Sequence, residues 1–190
     1  MRKQSFFKKI LAIIILLGVF FSCIKDTDFE QSDTLVITPI MEVNLVKAQE
    51  TPDSFLDASG SEVPFISDLV VLEVFTSDFI VENLIKAELV FEITNSINKA
   101  FQIKMDFYDT ADTLQHSFSI DIDNSPTNSP LITEYVEVFE NMSLLALKST
   151  SKLDITISLA SSLTGSVLTP DSEGSIRLTS KGVFYLKISS

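Results

Sequence analysis

Residues 85–108, IKAELVFEITNSINKAFQIKMDFY, decide the fold. Ile85, Ala87, Leu89, Phe91 and Ile93 fall on one side of an extended chain. Lys86, Glu88, Glu92 and Thr94 fall on the other, with Val90 the one apolar exception. After Asn95–Lys99 the pattern resumes, with Phe101, Ile103, Met105 and Phe107 set against Gln102, Lys104, Asp106 and Tyr108. Alternation with period two sorts side chains onto the two faces of a strand. Two such runs around an Asn/Ser-rich turn predict a hairpin with one buried face, at the centre of the core.

Working outward, Asp109–Thr113 reads as a second turn and Leu114–Ile122 as another alternating strand, through Leu114, His116, Phe118, Ile120 and Ile122. Asp123–Pro130 (DNSPTNSP) breaks the pattern, and the β-branched and aromatic run Leu131–Phe139 restores it. Asn141 can cap a short helix through Lys148 with Met142, Leu145 and Leu144 on its packed face. Leu153–Leu159 is a further strand. Ser161–Gly174 reads as a loop around a short Val167–Thr169 piece. Ser175–Thr179 and Val183–Ile188 close the chain, split at Lys181–Gly182 by a hairpin turn or bulge. Towards the N-terminus, Ser77–Leu84 suits a turn or one helical turn capped by Asp78, and Leu69–Thr76 is too evenly apolar to assign a face. Lys47–Pro64 is read as a loop, and Thr34–Val46 as a strand bent at Pro39. The sum predicts an all-β fold: a two-sheet antiparallel sandwich, immunoglobulin-like or similar, with about eight or nine strands and one short helix.

The N-terminus is of another kind. Arg2, Lys3, Lys8 and Lys9 precede an unbroken apolar or small run from Ile10 to Phe21, which ends at Ser22 and at Cys23, the chain's single cysteine. A basic start and an apolar run this short, well under the roughly 20 residues that span a bilayer, describe an export signal. The whole resembles the bacterial lipoprotein signal, with Phe20 and Phe21 departing from the usual Leu and small residue. The resemblance implies cleavage before Cys23 and lipidation of its thiol. That also accounts for a cysteine with no partner in an exported protein. Several acyl chains at about 0.8 kcal/mol per buried methylene hold a protein on a membrane durably. The alternatives are an uncleaved anchor, or a free signal with a chance cysteine.

Residues 23–33 follow as a tether, Ile24 to Asp33 reading IKDTDFEQSD; ten such residues reach at most about 34 Å. Lys25 followed by Asp26, Asp28 and Glu30 resembles the surface-export signal of Bacteroidota lipoproteins. That implies the outer leaflet of the outer membrane, with the periplasmic face as the alternative. The domain organisation is thus 1–22 signal, 23–33 lipidated cysteine and acidic tether, and 34–190 a single sandwich. Removing residues 1–22 takes away four basic side chains and no acid, leaving 10 Lys+Arg against 26 Asp+Glu, a net charge near −16. So acidic a body repels phosphate backbones, which excludes nucleic acid as a partner.

A search for chemistry returns little. His116 is the only histidine, in phase with core residues, and no nucleophile stands in a recognisable setting, so no catalytic residue is expected. Asp106, Asp109 and Asp112 cluster at one turn and Asp121 and Asp123 at the next, without the spacing of a calcium loop, so no metal or other cofactor is expected. Tyr108 faces outward beside Lys104, but one ring makes no sugar-stacking platform, and the chain has no tryptophan. Thr34, Thr110 and Thr113, each preceded by aspartate and followed by an apolar or small residue, resemble the Asp-Ser/Thr-apolar O-glycosylation acceptors of exported Bacteroidota proteins. The sequence therefore predicts a non-enzymatic lipoprotein, held on the membrane by its lipid, whose sandwich serves interaction with an envelope protein or envelope assembly. A glycan- or peptide-binding module of a nutrient-uptake system is the alternative, and a hydrolase without a visible motif comes third.

Overall fold

The computed structural model describes residues 36–160 and 165–189. The signal, Cys23, the tether and Thr34 lie outside them. Among the described residues ten strands form three antiparallel sheets. The strands are β1 (Val36–Ile37), β2 (Ile40–Glu50), β3 (Phe65–Val71), β4 (Leu84–Asn95), β5 (Phe101–Tyr108), β6 (Leu114–Ile122), β7 (Leu131–Phe139), β8 (Lys152–Leu159), β9 (Ile176–Leu186) and β10 (Ile188–Ser189). Among the described residues two α-helices join them, α1 (Asp78–Asn83) and α2 (Asn141–Ser149). Apart from the short β1–β10 pair, the sheets have four strands each, ordered β2-β9-β4-β7 and β3-β8-β5-β6.

That order is the finding of the fold. Among consecutive long strands only β5 and β6 are neighbours in one sheet; every other connection carries the chain across to the opposite sheet. Two such interleaved four-stranded sheets are the jelly-roll arrangement of the two-sheet sandwich, in place of an immunoglobulin topology.

The expected buried face is present, but the expected hairpin is not. Ala87, Leu89, Phe91 and Ile93 of β4 and Phe101, Ile103, Met105 and Phe107 of β5 are all buried. Yet β4 pairs with β7 and β9, and β5 with β6 and β8, so Asn95–Lys99 arches between sheets and the two apolar faces oppose each other. The arch is held by Asn95, wholly buried. Its Nδ2 donates to the carbonyls of Lys99 (2.9 Å) and Asp123 (2.8 Å), and its Oδ1 accepts the Ile97 amide at 2.9 Å. Alternation reports which face is apolar, not which strand lies alongside.

Other expectations are corrected in detail. β9 runs unbroken through Lys181–Gly182; the irregularity lies opposite, where β2 bulges between Asn44 and Val46. β2 extends to Glu50, and the segment read as a loop carries Phe55 into the core from a short 3-10 turn. Ile85 at the β4 entrance is exposed, as is Leu114, which a register shift sets opposite outward-facing Tyr108. Helix α1 is preceded by Ser77, with Asp78 its first residue, and α2 by Glu140, whose amide donates to Ser143 Oγ. On α2 the packed residues are Leu144 and Leu147, while Met142 (77%) and Leu145 (59%) are exposed. Among the described residues no helix is long and apolar enough to cross a membrane.

Candidate functional site

A sandwich has two open seams where its sheets end, and in this one they differ. At the β6–β7 seam, His116 Nε2 lies 2.7 Å from Glu137 Oε1, and the Tyr135 hydroxyl donates to Glu137 Oε2 at 2.6 Å. Around this polar bridge sit the rings of Phe107, Phe118 and Phe139, with Tyr135 stacked on Phe118 at 5.3 Å. The hydrogen bond to Glu137 first, then burial, pushes the Tyr135 phenol up to about 12. Helix α2 packs on both strands. His116 is therefore at the rim of the core, engaged in closing a seam through Glu137, whose other oxygen accepts from the Tyr135 hydroxyl. The sequence hid Glu137 and Tyr135 because both faces of β7 mix apolar and polar residues, Thr133, Tyr135 and Glu137 inward and Ile132, Glu134 and Val136 outward.

The β2–β3 seam is open. Between the two edge strands lies a cavity of about 530 Å3, walled by aliphatic side chains that include Val46, Ile66, Val70 and Ile157, with Glu50 and Asp68 among its polar lining. No aromatic ring lines it. The β2 edge carries its own protection, a bulge together with Glu42 and Lys47. The β3 edge, FISDLVV, is different. On its outer face Phe65 (56%), Leu69 (56%) and Val71 (64%) are exposed, while Ile66 and Val70 turn into the cavity.

The backbone of β3 can be assigned edge by edge. Leu72 N–H donates to Ser151 and Leu159 N–H to Pro64, which marks positions 64 and 72 as bonded to β8. Bonded and non-bonded pairs alternate along an antiparallel ladder. Ile66, Asp68 and Val70 therefore direct their amides and carbonyls to β8, and Phe65, Ser67, Leu69 and Val71 direct theirs outward. The evenly apolar run Leu69–Thr76 takes in only the end of β3 and then a 3-10 turn at Glu73–Thr76, so its pattern did not mark this edge.

Of the acids singled out from the sequence, all but Asp123 have carboxylates that are already engaged. Asp109 Oδ1 accepts the amides of Ala111 (2.8 Å) and Thr113 (2.9 Å), and Oδ2 accepts from Gln115; the Thr113 amide leads in holding its carboxyl below the usual range. Asp112 pairs with Lys152, and Asp106 with Ser117 and with Lys104 at 2.7 Å. Asp121 accepts from Gln102 at 2.8 Å, and the Asp123 carbonyl serves Asn95. Among the described residues no three His, Cys, Asp or Glu side chains group as a metal ion would require. Thr110 and Thr113 are exposed on the turn that Asp109 organises.

No family model and no curated protein matches this chain. Solved structures resemble it at low identity and with TM-scores below 0.5. A Parabacteroides distasonis ATCC 8503 protein thought to be secreted has a TM-score of 0.49 at 13% identity, over 66% of this chain and 38% of its own. The infectious bursal disease virus VP2 subviral particle gives 0.41 at 8% identity, over 80% and 32%. An exo-beta-agarase gives 0.40 at 14%, over 86% and 25%. This chain thus spans well under half the length of each, and none of these likenesses carries an activity or partner to it.

Proposed function

We propose that this chain is a lipoprotein anchored through Cys23 at the cell surface, whose sandwich docks another envelope protein by strand addition at the β3 edge. The observation that carries the reading is the outward backbone of Phe65, Ser67, Leu69 and Val71, beside an apolar cavity and beneath exposed apolar side chains. Main-chain groups supply affinity in strand addition, and pockets for alternate side chains supply selectivity. A glycan module is less well supported, because the cavity offers no ring on which a sugar could stack.

Ser67→Pro tests the docking. Its amide faces away from β8, so proline removes an outward donor and spares the ladder. A photo-crosslinker at Leu69 in living cells should capture one stoichiometric envelope protein, lost in the Ser67→Pro background while abundance and melting temperature hold. Equal capture by both proteins would overturn the docking. For the anchor, labelled palmitate should mark the wild type and not Cys23→Ala. Alanine at Asp26, Asp28 and Glu30 together should cost surface protease accessibility.

A further inference from the structure

The Leu69 amide, one of the outward donors on β3, is not free: Asp68 Oδ1 accepts its N–H at 2.9 Å. Asp68 is the only charged residue in the strand, is itself exposed, and lines the cavity together with Glu50 and Lys47, so the charged lining is two carboxylates to one ammonium. An incoming strand must offer Leu69 a carbonyl in place of that carboxylate. The released carboxylate then shares with Glu50 a largely aliphatic cleft in which Lys47 is the one cation of the lining. Resting on the docking function above, we propose that Asp68 is a charge-reading gate, and that the segment which docks on β3 alternates apolar residues with a lysine or arginine set against Asp68 and Glu50.

The chemistry follows from the exchange. The backbone carbonyl of the incoming strand takes over the Leu69 amide, and its cation takes over Asp68 in a charge-assisted contact. A neutral segment makes only the first half of the exchange and leaves the gate competing for the amide. An acidic segment adds like charge, on a body that after removal of residues 1–22 already carries a net charge near −16. A second copy of this chain is disfavoured for the same reason. Antiparallel pairing of two β3 strands about their midpoint sets Asp68 against Asp68.

The test is selection from a displayed library of random peptides on the full-length protein in mild detergent. Enriched sequences should alternate and carry Lys or Arg, and changing that residue to alanine should weaken binding about three- to tenfold. On Asp68→Ala the preference for a cation should vanish and neutral peptides should bind more tightly. On Asp68→Lys, acidic peptides should be enriched instead. Peptides lost on Ser67→Pro but indifferent to charge would overturn the gate and leave edge docking standing. Peptides that bind Ser67→Pro unchanged, or no enrichment at all, would overturn both, as would a dimer through β3 in sedimentation.

Discussion

Asn95→Ala is the most direct probe of the arch that sends β4 and β5 to different sheets. The side chain is wholly buried and makes three hydrogen bonds to backbone groups of Ile97, Lys99 and Asp123. Alanine leaves two carbonyls and one amide without that partner. Each buried group left unsatisfied costs about 1–3 kcal/mol, and water can reach part of the site near Asp123, so a total of about 3–5 kcal/mol is expected. Against the roughly 5–15 kcal/mol by which domains are stable, that is a large fraction. With a urea slope of about 1–3 kcal/mol/M, the unfolding midpoint should fall by roughly 2 M with the slope unchanged. Asn95→Asp separates bonding from shape. It keeps the acceptor for Ile97 but turns an oxygen towards two carbonyl oxygens, so at neutral pH it should be at least as costly as alanine. A carboxyl so placed is driven towards its protonated form, which restores one donor. The deficit relative to wild type should therefore shrink as pH falls and grow as pH rises. An alanine variant within about 1 kcal/mol of wild type, or an aspartate variant equal to wild type at neutral pH, would refute the clamp.

Three further outcomes are expected. Lys99 is nearly buried, with its Nζ 2.8 Å from Glu62 Oε1, which also accepts the Leu168 amide at 2.7 Å. Lys99→Met should cost about 2–4 kcal/mol, and adding Glu62→Gln should recover part of it; coupling under about 0.5 kcal/mol in the double-mutant cycle would refute the pairing. Burial pushes the Glu62 carboxyl up, but the Leu168 amide and Lys99 outweigh it and leave it lowered. Its contribution is thus present above the unfolded value and lost as pH falls through the folded one, which makes the double variant less acid-sensitive than wild type. Tyr135, raised to about 12 from 10.0, stabilises the fold fully below pH 10.0 and loses that contribution as pH climbs through 12. A tyrosinate absorbance titration should show a late-ionising phase that vanishes in Tyr135→Phe, and its persistence would sink the Glu137 bond. At Gly182 an added Cβ would lie 2.6 Å from Phe184 Cζ and 3.3 Å from Leu45 Cδ1. Gly182→Ala should therefore cost about 1–3 kcal/mol by calorimetry, and a rise in melting temperature would contradict the packing.

The sandwich was legible in the sequence because period two survives along β4, β5, β6 and β8 with hardly an interruption. Strand neighbours were not, because an apolar face looks alike whether it is covered by the adjoining strand's sheet or by the one across. Asn95 shows the limit well. It announces a turn, and only its three backbone partners show that the turn changes sheets. On α2, Met142 and Leu145 compete with Leu144 and Leu147 for one face at the same spacing, and contact with β6 and β7 decides for the second pair. Both helix starts were placed one residue late, since Asp78 and Asn141 look like caps more than the residues before them do. The β3 edge was illegible for a different reason. Its meaning lies in which amides face nothing, and no residue type records that.

The place of β9 also bears on how the chain matures. Among the described residues the last long strand to be synthesised lies inside its sheet, between β2 and β4, and not at a border. Until residues 176–186 arrive, β2 has no ladder to join and β4 lacks one of its two flanks. A polypeptide emerging N-terminus first is therefore kept from closing early, and its contacts are dominated by distant pairings that form slowly. Such a keystone strand leaves the sheet unset until its last long member is available. Loss of β9 should accordingly leave an unclosed, protease-sensitive chain and not a trimmed sandwich.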